Sequence, residues 1–132
     1  MSYSRRVTEP PAEGPQFLLR AVFTGWLVAL LVGAILAGLL AVILLTTTLS
    51  EVYLPHLING LGFVSILAGS IVAARRARSL GWLHGCLTGL LFILAGYGIS
   101  LLVFSPVPPL ATPRLVFAAL TGGIGGVLGV NW

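Results

Sequence analysis

Residues 20–33 read RAVFTGWLVALLVG, and residues 76–89 read RARSLGWLHGCLTG. At an offset of 56 they share Arg20/Arg76, Ala21/Ala77, the Gly-Trp-Leu triplets at 25–27 and 81–83, Leu31/Leu87 and Gly33/Gly89. Each leads from an arginine past a tryptophan into a long uncharged apolar run. Arginine and tryptophan in that order suit a chain leaving a lipid headgroup layer for hydrocarbon. The sequence therefore writes the same approach to a membrane twice.

Composition requires the membrane independently. The 132 residues are 58% hydrophobic and only 8% charged, with a mean hydropathy of +1.08. A soluble domain carries about 25% charged residues, so lipid is the solvent that this surface demands. All seven basic residues are arginines, and the formal net charge is +4. That charge suits anionic headgroups at the cytoplasmic face. It offers no basic surface outside the bilayer for nucleic acid. The single cysteine, Cys86, lies inside an apolar run, which leaves no disulfide or zinc cluster within one chain.

Four apolar stretches follow a polar start. Residues 1–16, MSYSRRVTEPPAEGPQ, hold three prolines, two arginines and two glutamates and read as a flexible cytoplasmic arm. Arg5-Arg6 is not an export signal, because Glu9 and Pro10-Pro11 intervene and the next apolar run far exceeds a signal peptide's core. Residues 17–132 form one transmembrane domain with helices at about 17–48, 52–75, 80–105 and 113–131. Thr112-Pro113 suits the N-cap and first position of the fourth helix. Arg5, Arg6, Arg20, Arg75, Arg76 and Arg78 fall on one side of these spans and only Arg114 on the other. The fold expected is all-α, a four-helix transmembrane bundle with both termini cytoplasmic.

The repeat refines this architecture. If each Arg-Ala-x-x-x-Gly-Trp-Leu starts at the cytoplasmic face, the unit is a helical hairpin and the two halves form a parallel repeat. The same offset lays Ser65, Gly69 and Ala73 on Thr121, Gly125 and Gly129. Small residues also recur every four positions elsewhere. Gly25, Ala29, Gly33, Ala37 and Ala41 lie on the first helix, Gly81, Gly85 and Gly89 on the third, and Gly122 and Gly126 beside Gly125 and Gly129 on the fourth. Lipid supplies no hydrophobic drive between helices, and such ridges let backbones touch. Gly33, Gly69, Gly81, Gly85, Gly89, Gly122, Gly125, Gly126 and Gly129 are accordingly the expected packing positions.

Polar residues within the spans are few. His56 and Asn59 share a face near the outer end of the second helix, and His84 and Thr88 share one near the inner end of the third. The two histidines stand roughly 25–30 Å apart in depth, so they form no single metal or proton-relay site. With Asn131 they are the candidate polar functional residues, each expected to hydrogen-bond at an interface or between helices. Trp26, Trp82 and Trp132 suit headgroup depth, and Tyr97, in mid-span, needs a hydroxyl partner. No carboxylate lies inside a span, which removes the coupling acid of a proton-driven exporter and any paired-carboxylate hydrolysis. Thr46, Thr47, Thr48 and Ser50 have only Glu51 as a neighbouring base. No catalytic residue, metal or cofactor is expected.

The stretches LAGSIVAARRARSLGWLHGCLTGLL and TGGIGGVLGVNW resemble those of the YrzE-like family of small four-helix bacterial membrane proteins. The resemblance covers Gly60 to Trp132, with the first helix alike only in hydropathy, and the proline-rich arm departs from it. The matching positions are Gly81, Trp82, Gly85 and Gly89, then Gly122, Gly125, Gly126, Gly129 and Asn131. It implies an integral membrane protein and carries over no active-site residue.

These readings converge on a non-enzymatic accessory or interaction subunit, with a homo-oligomer or another membrane protein as partner. The alternative is a small homo-oligomeric channel or transporter, since four helices alone enclose little aqueous space. The arginine asymmetry makes a direct prediction. A single cysteine placed within residues 75–79, in a Cys86→Ser background, should react with impermeant reagent only from the cytoplasmic side. Labelling from outside intact cells would reverse the topology.

Overall fold

The computed structural model describes residues 18–48, 50–106 and 109–132. The proposed arm at 1–16, with Arg5 and Arg6, lies outside them. Four α-helices run α1 Leu19–Thr46, α2 Leu54–Ala77, α3 Gly81–Val103 and α4 Thr112–Asn131, with a single 3-10 turn at Glu51–Tyr53 before α2. All four are long and apolar enough to cross a membrane. At 28 residues, α1 is about 42 Å long and exceeds the ~30 Å hydrocarbon layer, so it must tilt or project. Pro55 and Pro113 sit in the first turns of α2 and α4, where a missing N–H is harmless. The cap of α4 is Ala111 and Thr112 is already helical, because Pro113 is accommodated equally well at the second position. The last turn of α2 runs on through Arg75 and Arg76, whose charges suit a helix C-terminus.

The helices alternate up and down. Leu18 hydrogen-bonds His84, and Gly81 lies against Val130, so the start of α1, the α2–α3 turn and the end of α4 share one end, the base. α1 packs on α2, α3 on α4, and α2 and α3 meet in the middle; among the described residues α1 and α4 do not touch. α1 and α3 run parallel, with Gly33 facing Phe92, as do α2 and α4, with Leu67 and Ile71 facing Gly125 and Gly129. Both hairpins therefore point the same way.

Backbone contact sets their register. A Cβ added to Gly25 would lie 2.5 Å from both the Gly69 carbonyl and the Ala73 Cβ, and one added to Gly81 would strike the Gly126 carbonyl and Val130. Gly25 thus corresponds to Gly81 at the offset of 56. Gly69 corresponds to Gly126, however, and Ala73 to Val130, an offset of 57. The expected match of Gly69 with Gly125 is one residue out, because the second hairpin holds one more residue between its contacts. One residue turns a helix face by about 100°, and Gly125 faces α2 instead, where a Cβ would lie 2.9 Å from that of Ser70. Gly122 and Gly126 make one ridge of α4 against α3, while Gly125 and Gly129 make a second against α2. The tryptophans also differ. Trp26 is half-buried and its ring lies 5.5 Å from that of Phe23, whereas Trp82 is 55% exposed.

The core is small and lies wholly at the base. Every described buried residue falls within 21–29, 65–77, 81–89 or 118–129. Most buried apolar residues are alanines, and the largest fully buried side chains are Ile66, His84, Thr88, Ser65 and Ser70. The large hydrophobics, such as Leu31, Leu39, Leu102 and Leu120, face outward. This inside-out distribution fits a protein solvated by lipid, where tight helix approach replaces hydrophobic burial. Beyond the core every described residue is at least partly exposed, and a Cβ at Gly38, Gly60, Gly62, Gly96 or Gly98 would meet nothing within 4 Å. At the base, three residues join α2 to α3. Arg78 and Leu80 both take left-handed backbone, with φ of 54° and 48°, at a cost of about 1–2 kcal/mol each for a non-glycine residue.

The contrast between the two ends predicts opposite responses to one methyl group. Gly85→Ala and Gly126→Ala drive a Cβ into the backbone of the facing helix and should each destabilise by about 1–3 kcal/mol. Gly60→Ala and Gly62→Ala enter open space and should gain up to about 1 kcal/mol through helix propensity. Thermal unfolding in detergent distinguishes the two pairs.

Candidate functional site

Two places gather polar side chains. The first is the buried base, where α2, α3 and α4 converge on Gly85. Ser70 of α2 donates its hydroxyl to the Gly85 carbonyl at 3.2 Å. A Cβ on Gly85 would strike the Gly122 carbonyl of α4. One residue earlier, His84 is 0% exposed. Its Nδ1 lies 2.9 Å from the Leu80 carbonyl, and its Nε2 accepts the Leu18 N–H at 3.1 Å. A carbonyl can only accept and an amide only donate, so these bonds assign the neutral ring protonated on Nδ1. The imidazole thereby caps the start of α1, whose N-cap residue Leu18 has no side chain able to do so.

Two further buried hydroxyls of the base are tied to the backbone of their own helices. Ser65 donates to the Leu61 carbonyl at 2.7 Å, and Thr88 donates to the His84 carbonyl at 2.8 Å rather than to its ring. Cys86 donates weakly to the Ala119 carbonyl across the α3–α4 contact. Such bonds let polar side chains lie in an apolar surrounding without an uncompensated dipole. Trp26 Nε1 is the one buried side-chain nitrogen or oxygen without a partner among the described residues.

The second place is a groove of about 500 Å³ between the far half of α3 and the start of α4. Phe92, Tyr97 and Ser100 line it from α3, Phe104 and Leu110 from the connecting segment, and Arg114 from α4. Ser100 donates to the Gly96 carbonyl at 2.9 Å. The Tyr97 hydroxyl hydrogen-bonds to nothing in the protein among the described residues. A shallower depression of about 430 Å³ beside Trp82 and Cys86 is almost wholly apolar and faces outward between α3 and α4.

The candidate polar residues are not brought together. His56 and Asn59 are exposed near the start of α2, Asn131 is exposed at the end of α4, and only His84 is buried. Among the described residues no three His, Cys, Asp or Glu side chains cluster. Of the packing glycines, Gly69, Gly81, Gly85, Gly89, Gly122, Gly125, Gly126 and Gly129 all lie where an added Cβ would come within 3.0 Å of a neighbouring helix. Gly33 is looser, at 3.3 Å from the Phe92 ring. The interhelical role of Ser70 and the groove at Arg114 escaped sequence reading. Ser70 follows Gly69 in the small-residue ridge, and that adjacency was the available signal; nothing local marks the groove.

Four bilayer-length helices, apolar outside and lined with small residues within, define the class: a multi-pass membrane protein. Residues 18–129 match the family described as Protein of unknown function (DUF3792), and the chain belongs to it. No curated protein and no solved structure matches the chain.

His84→Phe retains an aromatic ring but removes both ring bonds, leaving the Leu18 N–H unpaired. It should destabilise by about 1–3 kcal/mol and accelerate hydrogen exchange at the Leu18 amide. Thr88→Val deletes a bond to a carbonyl within its own helix and should change stability by under about 1 kcal/mol. Equal effects of the two variants would remove the capping role of the ring.

Proposed function

We propose that this protein is a non-enzymatic membrane subunit that acts by helix-to-helix association within the bilayer. The observation that carries the reading is the division of the bundle into a packed base and an unpacked far half. At the base, backbone contact and hydrogen bonds to backbone occupy the interior. In the far half, α1 beyond Ala29 and α2 before Ser65 bury no residue, yet they carry Gly38, Gly60 and Gly62 with nothing near them. Small residues on an open helix face suit the close approach of another transmembrane helix. The exposed His56 and Asn59 on α2 supply hydrogen-bonding groups for it.

The base is proposed to face the cytoplasm of the cell membrane. Arg20, Arg75, Arg76 and Arg78 are exposed there, and they suit the anionic headgroups of that leaflet. The likeness to YrzE-like bacterial proteins implies an integral membrane protein and suggests no chemistry. The channel or transporter reading is less well supported, because the buried hydroxyls stop with the core and form no polar line through the far half.

The test is purification of the full chain from its native membrane in mild detergent, with mass determination and identification of co-purifying proteins. A stoichiometric membrane-protein partner is expected, and Gly60→Leu or Gly62→Leu should release it. A homogeneous homo-oligomer that passes ions in liposomes would replace this reading with the channel.

A further inference from the structure

We propose that the groove between α3 and the start of α4 binds one anionic phospholipid, its phosphate on Arg114 and an acyl chain along α3. The chemistry of the walls is one-sided. Arg114 forms no ion pair among the described residues, and the Tyr97 hydroxyl has no protein partner. Both groups line the groove, and no carboxylate does. Ser100 already donates its proton to the Gly96 carbonyl. The free donors are therefore a guanidinium and a phenol, which together select an anion with several acceptor oxygens. A guanidinium engages phosphate oxygens through paired N–H donors. Arg114 is also the third residue of α4, so the helix N-terminus adds positive potential at the same place.

The shape selects a lipid over a small solute. From Phe92 to Phe104 the wall follows α3 for twelve residues, about 18 Å along the helix axis. That is close to one leaflet, half of the ~30 Å hydrocarbon layer. The deep part is lined by Phe92 and Ile93, while Arg114 lies at the end next to the α3–α4 connection. Charge at the surface end and hydrocarbon along the depth are the order in which a phospholipid presents its own parts. A volume of about 500 Å³ lies in the usual 300–1,000 Å³ range of ligand cavities. Gly96 keeps the wall open, since a Cβ there would meet no atom within 4 Å. An inorganic phosphate would satisfy Arg114 and leave the aromatic walls without contacts. This site lies apart from the α1 and α2 faces proposed above for a protein partner, so either proposal stands if the other fails.

The test uses the full-length chain, purified in detergent and delipidated, with phosphatidylglycerol and phosphatidylcholine of identical acyl chains as probes. Native mass spectrometry and thermal unfolding read binding. Retention of one phosphatidylglycerol, with a larger rise in melting temperature than phosphatidylcholine gives, is expected. Arg114→Gln should weaken phosphatidylglycerol binding by about tenfold or more, the loss of a charge-assisted hydrogen bond, and bring it down to the phosphatidylcholine level. Tyr97→Phe removes only a hydroxyl and should weaken it severalfold, which keeps the test decisive if Arg114→Gln does not fold. Gly96→Leu, which fills the groove, should reduce binding of both lipids. Arg76→Gln at the opposite end removes one of the headgroup-facing charges of the base and should weaken phosphatidylglycerol binding far less than Arg114→Gln does. Equal binding of the two lipids, an unchanged Tyr97→Phe, or an Arg76→Gln loss as large as that of Arg114→Gln would overturn the proposal. Inorganic phosphate reproducing the thermal shift would overturn it in favour of a simple anion site.

Discussion

The close approach of the α3 and α4 backbones is the contact on which the bundle depends. Gly81, Gly85 and Gly89 meet Gly122, Gly126 and the Ala118 carbonyl so closely that no Cβ fits between them. In water, two helices associate by hiding apolar surface. In lipid that drive is absent, and cohesion comes from packing and interhelical hydrogen bonds. The same approach brings Gly85 within reach of Ser70, which draws α2 onto the pair. It also holds the first turn of α3 where His84 can cap α1. The left-handed residues Arg78 and Leu80 sit in the turn beside these contacts, and strain of that kind persists only where the surroundings over-determine it.

Tightness at one end has a consequence at the other. Away from the base, glycines such as Gly38 and Gly60 face no neighbouring helix, and every described residue is at least partly exposed. The four-residue spacing of Gly81, Gly85 and Gly89 runs on to Ile93 and Tyr97, and Gly96 and Gly98 meet no opposing helix. The bridges beyond the core are aromatic, with Phe63 and Phe117 at a centroid distance of 6.1 Å and Phe92 lying against Gly33. Open helix faces and a groove with a single cation at its mouth both lie in this less buried half. The reading as an association subunit and the lipid site draw on the same geometry but on different surfaces.

Much of the base was legible in the sequence because its signal is local. A glycine every fourth residue, as at Gly81, Gly85 and Gly89, must form one stripe on a helix, and such a stripe in an apolar span has few uses besides contact. The environment of His84 was legible only in kind. A polar residue in a span needs a partner, but the partner is the Leu18 amide, 66 positions away, rather than Thr88 one turn on. The partner of Ser70 was hidden for the same reason, since its acceptor, the Gly85 carbonyl, lies on another helix. The Arg114 groove was legible only as separate residues, a mid-span tyrosine and a lone arginine, because the course of the α3–α4 connection is what brings Tyr97 and Arg114 to one groove.

The repeat separates the two kinds of information most clearly. Apolar runs of bilayer length, the arginine asymmetry and the doubled Arg-Ala-x-x-x-Gly-Trp-Leu follow from the chain alone: four spans, both ends on one side, hairpins pointing the same way. These are consequences of the length, polarity and periodicity of single segments. Which glycine faces which helix was decided in three dimensions. Sequence pairs Gly69 with Gly125, but in the structure its counterpart is Gly126 and Gly125 turns to α2. A shift of one residue swings a helix face by about 100°, and only the simultaneous fit of α4 against both α3 and α2 selects among such rotations.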